Sequence, residues 1–156
     1  MTRFAAVLAL LALVGLAAPP ARAGDRELEI LLVNMTPEPS DAARACSARI
    51  RRAVRADYTH MAVMGESRLR AALGEPSGPF MEWETGPFEA LKRREGTWLD
   101  TIALYDCRPE ARRLEALVVS PSGVAKLRLR EVEIDDATID WFAARLLRHG
   151  WVGFSP

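Results

Sequence analysis

The chain has 156 residues, and its 21 basic and 21 acidic side chains give a formal net charge of zero. A neutral chain has no net electrostatic attraction for nucleic acid, so we expect no DNA or RNA partner. The length is sufficient for one domain with its own apolar core. We therefore expect a single globular domain whose partner is not a nucleic acid.

Residues Met1 to Ala23 have the pattern of a secretory signal peptide. A basic residue precedes the apolar run Phe4 to Ala18, and Ala21-Arg22-Ala23 provides small residues at the cleavage site. The run is shorter than the roughly 20 residues that a membrane-spanning helix needs. We predict cleavage before Gly24, which leaves residues 24–156 as a single periplasmic or secreted domain without a transmembrane segment.

The first predicted elements of the mature domain are a strand and a helix. Glu27 to Val33 is a short apolar run typical of a buried strand. Ser40 or Asp41 can cap a helix that continues to about Ala56. The helix has a small, apolar face, and its opposite face is basic. The basic residues Arg44, Arg51 and Arg55 form a candidate surface for anionic lipid or an acidic partner, although an ordinary solvated helix face is the simpler interpretation.

Thr59 to Leu73 is interpreted as helical, which brings His60, Met61 and Met64 within one turn. Thioether sulfur and imidazole nitrogen are ligands that suit copper. A copper-binding protein is therefore an alternative function, although methionines also fill gaps in apolar cores. Apart from copper here and Ca²⁺ at the acidic cluster considered below, the sequence indicates no cofactor.

Gly65-Glu66-Ser67 begins like the G-x-S-x-G motif that presents a nucleophilic serine. Leu69 stands where that motif needs its last glycine, so the match is partial. A small serine hydrolase that uses Ser67 and a histidine is the third function we consider. An ordinary helix or turn residue at this position is the simpler interpretation.

The stretch Gly74 to Gly86 is the longest irregular region and contains Phe80, Met81 and Trp83. Long loops are often functional, and aromatic side chains are favoured as binding anchors. The alternative is that these side chains cover the core of a small domain. We take the three residues as the candidate binding loop.

The second half of the chain is predicted to contain a short helix, three strands and a final helix. The segments are Pro87 to Arg94, Trp98 to Cys107, Leu114 to Ser120, Val124 to Ile134, and Asp135 or Asp136 to about Arg148. This order predicts an α+β domain. We expect an antiparallel sheet, made of the N-terminal strand plus a three-stranded meander, with helices packed on one face.

Two further features concern the cysteines and the acidic residues. Cys46 and Cys107 are the two cysteines of a chain predicted to be exported, so we predict a disulfide between them. Acidic residues cluster at the start of the last helix, and carboxylate oxygens suit Ca²⁺. Helix capping by Asp135 or Asp136 explains the same residues without a metal.

No catalytic or metal motif of high specificity occurs in the chain. Catalysis needs a nucleophile, base or metal in a shaped pocket, and the candidates here are weakly patterned. We therefore favour an exported, small, disulfide-bonded binding or accessory protein over an enzyme, with an envelope protein as its partner.

Overall fold

The computed structural model describes residues 29–58, 60–94 and 99–150. The predicted signal peptide and the apolar tail Trp151 to Phe154 lie outside the described residues. The strands are β1 (Glu29–Asn34), β2 (Met61–Gly65), β3 (Leu99–Arg108), β4 (Arg113–Ser120) and β5 (Gly123–Arg130), and the helices are α1 (Asp41–Asp57), α2 (Glu66–Ala72), α3 (Gly86–Arg94) and α4 (Asp136–Gly150). No helix within these ranges is long and apolar enough to cross a bilayer. The domain is α+β, as predicted.

The five strands form one mixed sheet in the order β2-β1-β3-β4-β5. β1 runs parallel to both β2 and β3, whereas β3, β4 and β5 form an antiparallel meander. The meander is confirmed, but the prediction of a purely antiparallel sheet was wrong. Helices join β1 to β2 and β2 to β3, and a helical crossover returns the chain in the parallel direction.

Strand β2 occupies residues that were interpreted as helical. It pairs with β1 from Ile30 opposite Met61 to Asn34 opposite Gly65. Its local sequence has no clear period of two, so its conformation is decided by hydrogen bonding to β1. The helical interpretation was wrong for β2, and α2 retains part of the predicted helix.

Helices cover both faces of the sheet, so the prediction of helices on one face was also wrong. The first face, which carries Ile30, Leu32 and Tyr105, packs against α1 and α4. The second face packs against α2, α3 and the 3₁₀ turn Phe80–Glu82. Strand β1 shows why helices cover both faces, because its consecutive residues from Ile30 to Val33 are all buried. Strands that are apolar at consecutive positions are typical of sheets covered on both faces.

A disulfide between Cys46 and Cys107 joins α1 to the end of β3, as predicted. The two Cα atoms are 6.5 Å apart, which is within the range that a disulfide spans. Beside it, Asn34 Nδ2 donates to Ser47 Oγ at 3.4 Å, and the Ser47 and Tyr105 hydroxyls are hydrogen-bonded. Burial raises the pKa of Tyr105. The disulfide is consistent with an extracytoplasmic location.

An ion-pair cluster joins α1 to the start of α4. Arg49 Nε and Nη2 donate to the two carboxylate oxygens of Asp140 at 2.8 Å each, and Arg49 Nη1 lies 2.7 Å from Asp136. The adjacent Asp135 accepts from the Thr138 N–H at 2.7 Å and so caps α4. Three of the acidic residues considered for Ca²⁺, Asp135, Asp136 and Asp140, are therefore engaged in capping or in ion pairs with Arg49.

We expect Asp140→Asn to destabilise the protein at neutral pH only. The hydrogen bond from Arg49 lowers the pKa of Asp140 in the folded state. A lowered pKa contributes stability above the unfolded pKa of about 4, and this contribution is lost as the pH falls through the folded value. Thermal unfolding should show a melting temperature about 2 °C lower at pH 7 and no difference near pH 2.

The exposed carboxyl of Glu84 provides a control for this pH dependence, because no ion pair holds it within the described chain. Glu84→Gln should change the melting temperature little at either pH. A decrease for Asp140→Asn that persists below pH 3 would show that the Arg49 pairing is not its cause.

Candidate functional site

A cleft of about 280 Å³ opens on the second face of the sheet, at the carboxyl ends of β1, β2 and β3. These three strands are parallel, so their carboxyl ends meet at one edge. The chain after β1 continues to α1 on the first face, whereas the chain after β2 enters α2 on the second face. Ligands of open α/β sheets commonly bind at such a point. We call this site the arginine cleft.

The floor of the arginine cleft is an array of six charged side chains on β3, β4 and β5. Along each strand these charged residues alternate with residues that point to the first face. They therefore lie on the second face of the sheet, the same face as Leu104 of β3 and Leu117 of β4. One cross-strand row is Asp106, Glu115 and Arg128, and the next is Arg108, Arg113 and Arg130. The antiparallel register therefore places two carboxylates among four guanidinium groups.

The two carboxylates of the floor are buried and are held by arginines. Asp106 accepts from Arg108 Nε at 3.0 Å and from Arg113 Nη2, and Glu115 accepts from Arg130 Nε at 2.9 Å and Nη2 at 2.6 Å. The Asp106 and Glu115 side chains are 2% and 6% exposed. Such charge-assisted bonds fix the position of a guanidinium group. The bond to Asp106 also raises the pKa of Arg113, which therefore stays positively charged.

Arg128 is the one guanidinium of the floor that makes no ion pair with a residue described by the structure. It is exposed, and it has no ion pair or hydrogen bond to any residue that the structure describes. On the opposite wall Arg70 pairs with Glu66 at 2.8 Å, and Glu82 is exposed at the rim. The lining as a whole has five arginines and four carboxylates. The excess positive charge therefore lies on the floor.

The predicted binding loop forms part of the second-face core. Phe80, Met81 and Trp83 are 8%, 3% and 5% exposed. Phe80 and Met81 line the arginine cleft, whereas Trp83 stacks against Phe88 with ring centroids 6.3 Å apart. Trp83 Nε1 also donates to the Gly78 carbonyl at 3.1 Å. The loop supplies an apolar wall to the cleft, and a binding role for its side chains stays a prediction.

The basic face of α1 lies on the other side of the molecule. Arg44, Arg51 and Arg55 are exposed, and Arg44 pairs with Asp41 at the start of the helix. α1 packs against the first face of the sheet, so none of these arginines lies in the cleft. The α1 surface therefore stays a separate predicted binding surface.

The predicted copper ligands are divided between the two sides of the sheet. Met61 packs against the first-face core and Met64 against the second-face core, because residues three apart on a strand point to opposite faces. His60 precedes the strand and is exposed. Within the described ranges, no group of three or more His, Cys, Asp or Glu residues is arranged to hold a metal ion. Ser67, the predicted nucleophile, is an exposed residue of α2. The copper site and the hydrolase stay predictions.

The charged floor was missed by sequence reasoning. Its signal is a pair of charged residues two apart in each meander strand: Asp106 and Arg108, Arg113 and Glu115, Arg128 and Arg130. Aligning the two hairpins would have placed these pairs side by side. A comparison of the chain with protein-family models, curated proteins and solved structures found no match.

Proposed function

We propose that this protein is an exported, disulfide-bonded binding protein whose arginine cleft holds an anionic group of its ligand. The observation that carries the proposal is Arg128, an exposed guanidinium without a carboxylate partner in the described chain, beside arginines that buried carboxylates hold in place. The signal-peptide pattern and the Cys46–Cys107 disulfide support a periplasmic or secreted location.

The chemistry of the floor favours a carboxylate or a phosphate as the bound group. Guanidinium groups bind both through two parallel hydrogen bonds. Asp106 and Glu115 already hold three neighbouring arginines, so little side-chain freedom is lost when a ligand binds. Pre-positioned charges of this kind give specificity for an anion.

The same residues favour binding over catalysis. The floor consists of arginines and of carboxylates that are engaged in ion pairs. Arginine keeps its proton at all physiological pH values, so it does not serve as a general base. The cleft is thus well suited to hold an anion and less suited to transfer a proton.

We expect Arg128→Gln to weaken the binding of small anions by about tenfold, which corresponds to about 1.4 kcal/mol. Citrate and pyrophosphate are suitable probes, each titrated calorimetrically at low ionic strength. The wild-type protein should bind at least one of them. The melting temperature of the variant should be unchanged, because Arg128 is exposed and makes no ion pair with the described residues.

Arg55→Gln is the matched control, since it makes the same change on α1, away from the cleft. It should leave anion binding unchanged. A loss with Arg55→Gln alone would favour the α1 surface over the cleft, and an equal loss in the two variants would indicate a non-specific effect of net charge. No loss with Arg128→Gln would contradict the proposed function.

A further inference from the structure

We propose that the outer edge of β5 binds an extended segment of a partner protein in which acidic residues alternate with apolar ones. The proposal rests on the proposed function, because the acidic side chain opposite Arg128 would be the anion that the arginine cleft holds. The segment would add a strand to the sheet next to β5.

The first argument is that β5 is a long strand at the edge of the sheet, with no described strand on its outer side. It is the last strand of the sheet, and its one strand partner within the described residues is β4. All eight residues of β5 are at least partly exposed, whereas seven of the eight residues of β4 are buried. The outer edge therefore presents backbone N–H and C=O groups that an added strand can bind.

The second argument is that the two sides of β5 differ in chemistry. The side on the second face of the sheet is basic at alternate positions, with Lys126, Arg128 and Arg130. The other side carries Leu127 and Leu129, which pack partly against the first-face core. A strand beside β5 would have the same alternation, so its matching residues are acidic on one side and apolar on the other.

An exposed apolar surface continues the apolar side of β5. It is formed by Leu129, Val132 and Trp141, and the last two side chains are 43% and 47% exposed. A large aromatic residue exposed beside an open strand edge is typical of a binding surface. The apolar residues of the added strand would cover this surface.

The charges of β5 decide between a second copy of this chain and a different partner. Two antiparallel β5 strands would place basic side chains beside basic side chains, and like charges in neighbouring strands are destabilising. Basic residues on an edge strand guard against such self-association. The same residues attract an acidic strand, so the occupant is an acidic segment of another protein.

Arg128 links the edge to the arginine cleft. The row across the sheet is Asp106, Glu115 and Arg128, and the next position in that row would belong to the added strand. A carboxylate there would pair with Arg128 as Glu115 pairs with Arg130. Lys126, two residues away, is exposed and makes no ion pair with the described residues, so it offers a second contact. The other edge strand, β2, has no charged residue.

The first test uses a capped seven-residue peptide of alternating glutamate and leucine or valine, measured by fluorescence anisotropy. A strand added to an edge uses the N–H groups of every second residue. Two N-methylated versions, one blocked at the odd and one at the even positions, should therefore differ. We expect one version to bind at least tenfold more weakly than the other. Hydrogen exchange should show new protection of β5 amides.

The second test exchanges the charges. Arg128→Glu should weaken binding of the glutamate peptide at least tenfold. The same variant should bind more tightly a peptide that has lysine in place of glutamate. Arg93→Glu, at an exposed position of α3 that does not line the arginine cleft, should change neither. Circular dichroism and the melting temperature verify that the variants are folded.

Three outcomes would overturn the docking proposal. These are equal binding of both N-methylated versions, peptide binding that does not respond to Arg128→Glu, and a peptide that binds no more tightly than citrate. In the last case, citrate binding that still depends on Arg128 would leave the proposed function intact. A wild-type protein that binds neither citrate nor the peptide would contradict both proposals.

Discussion

Replacing both cysteines by alanine, as Cys46→Ala with Cys107→Ala, should lower the free energy of unfolding by about 4 kcal/mol. The bond closes a loop with a sequence separation of 61, and opening it restores conformational freedom to the unfolded chain. Both cysteines are buried, so alanine is preferred to serine, whose hydroxyl would add the cost of a buried polar group. Urea unfolding of the oxidised protein and the variant measures the difference.

Reduction of the wild-type protein provides the control for this prediction. A reducing agent should destabilise the wild-type protein by a similar amount and leave the double variant unaffected. The native oxidised protein should also show no reactive thiol. Two thiols that titrate in the native protein would count against the disulfide.

Trp83→Ala should lower the free energy of unfolding by about 3 to 5 kcal/mol, the usual cost of truncating a buried aromatic side chain. Trp83 is 5% exposed, stacks on Phe88, and lies 4.7 Å beneath the Arg70 guanidinium. Its indole also donates a hydrogen bond to Gly78. These three contacts are lost together in the alanine variant, along with the burial of the indole. Thermal and urea unfolding should both report the change.

Trp141→Ala is the matched control, because the same substitution there removes a side chain that is 47% exposed. We expect Trp141→Ala to lower the free energy of unfolding by less than about 1 kcal/mol. Trp83→Phe should lie between the two, since it keeps most of the apolar volume and loses the hydrogen bond. A melting temperature unchanged by Trp83→Ala would show that Trp83 serves the surface rather than the core.

Several elements were predictable because their signals are local. Ser40 caps α1 by accepting from the Ala43 N–H at 3.1 Å, and the cap is visible in the sequence. The turn between β4 and β5 also depends on neighbouring residues: Pro121 is its second residue, and Gly123, the fourth, has a φ of 125°, a value that favours glycine. Neighbouring residues alone determine such features.

The end of strand β5 could not be predicted from neighbouring residues alone. It was predicted to continue to Ile134, but it ends at Arg130, and Glu131 has a φ of 61° in the left-handed region. The Glu131 N–H donates to the Arg112 carbonyl at 3.0 Å, far along the chain. The end of the strand is thus decided by a contact between distant segments.

The sequence by itself determined the α+β class, the starts of α1 and α4, the meander and the disulfide. These depend on caps, turns, alternation and a cysteine count, which are properties of short segments or of composition. Only the tertiary structure decided that Met61–Gly65 is a strand, that helices cover both faces, and that Asp106, Glu115 and Arg128 share one row. These features require hydrogen bonding and packing between residues far apart in the chain, and no local pattern contains that information.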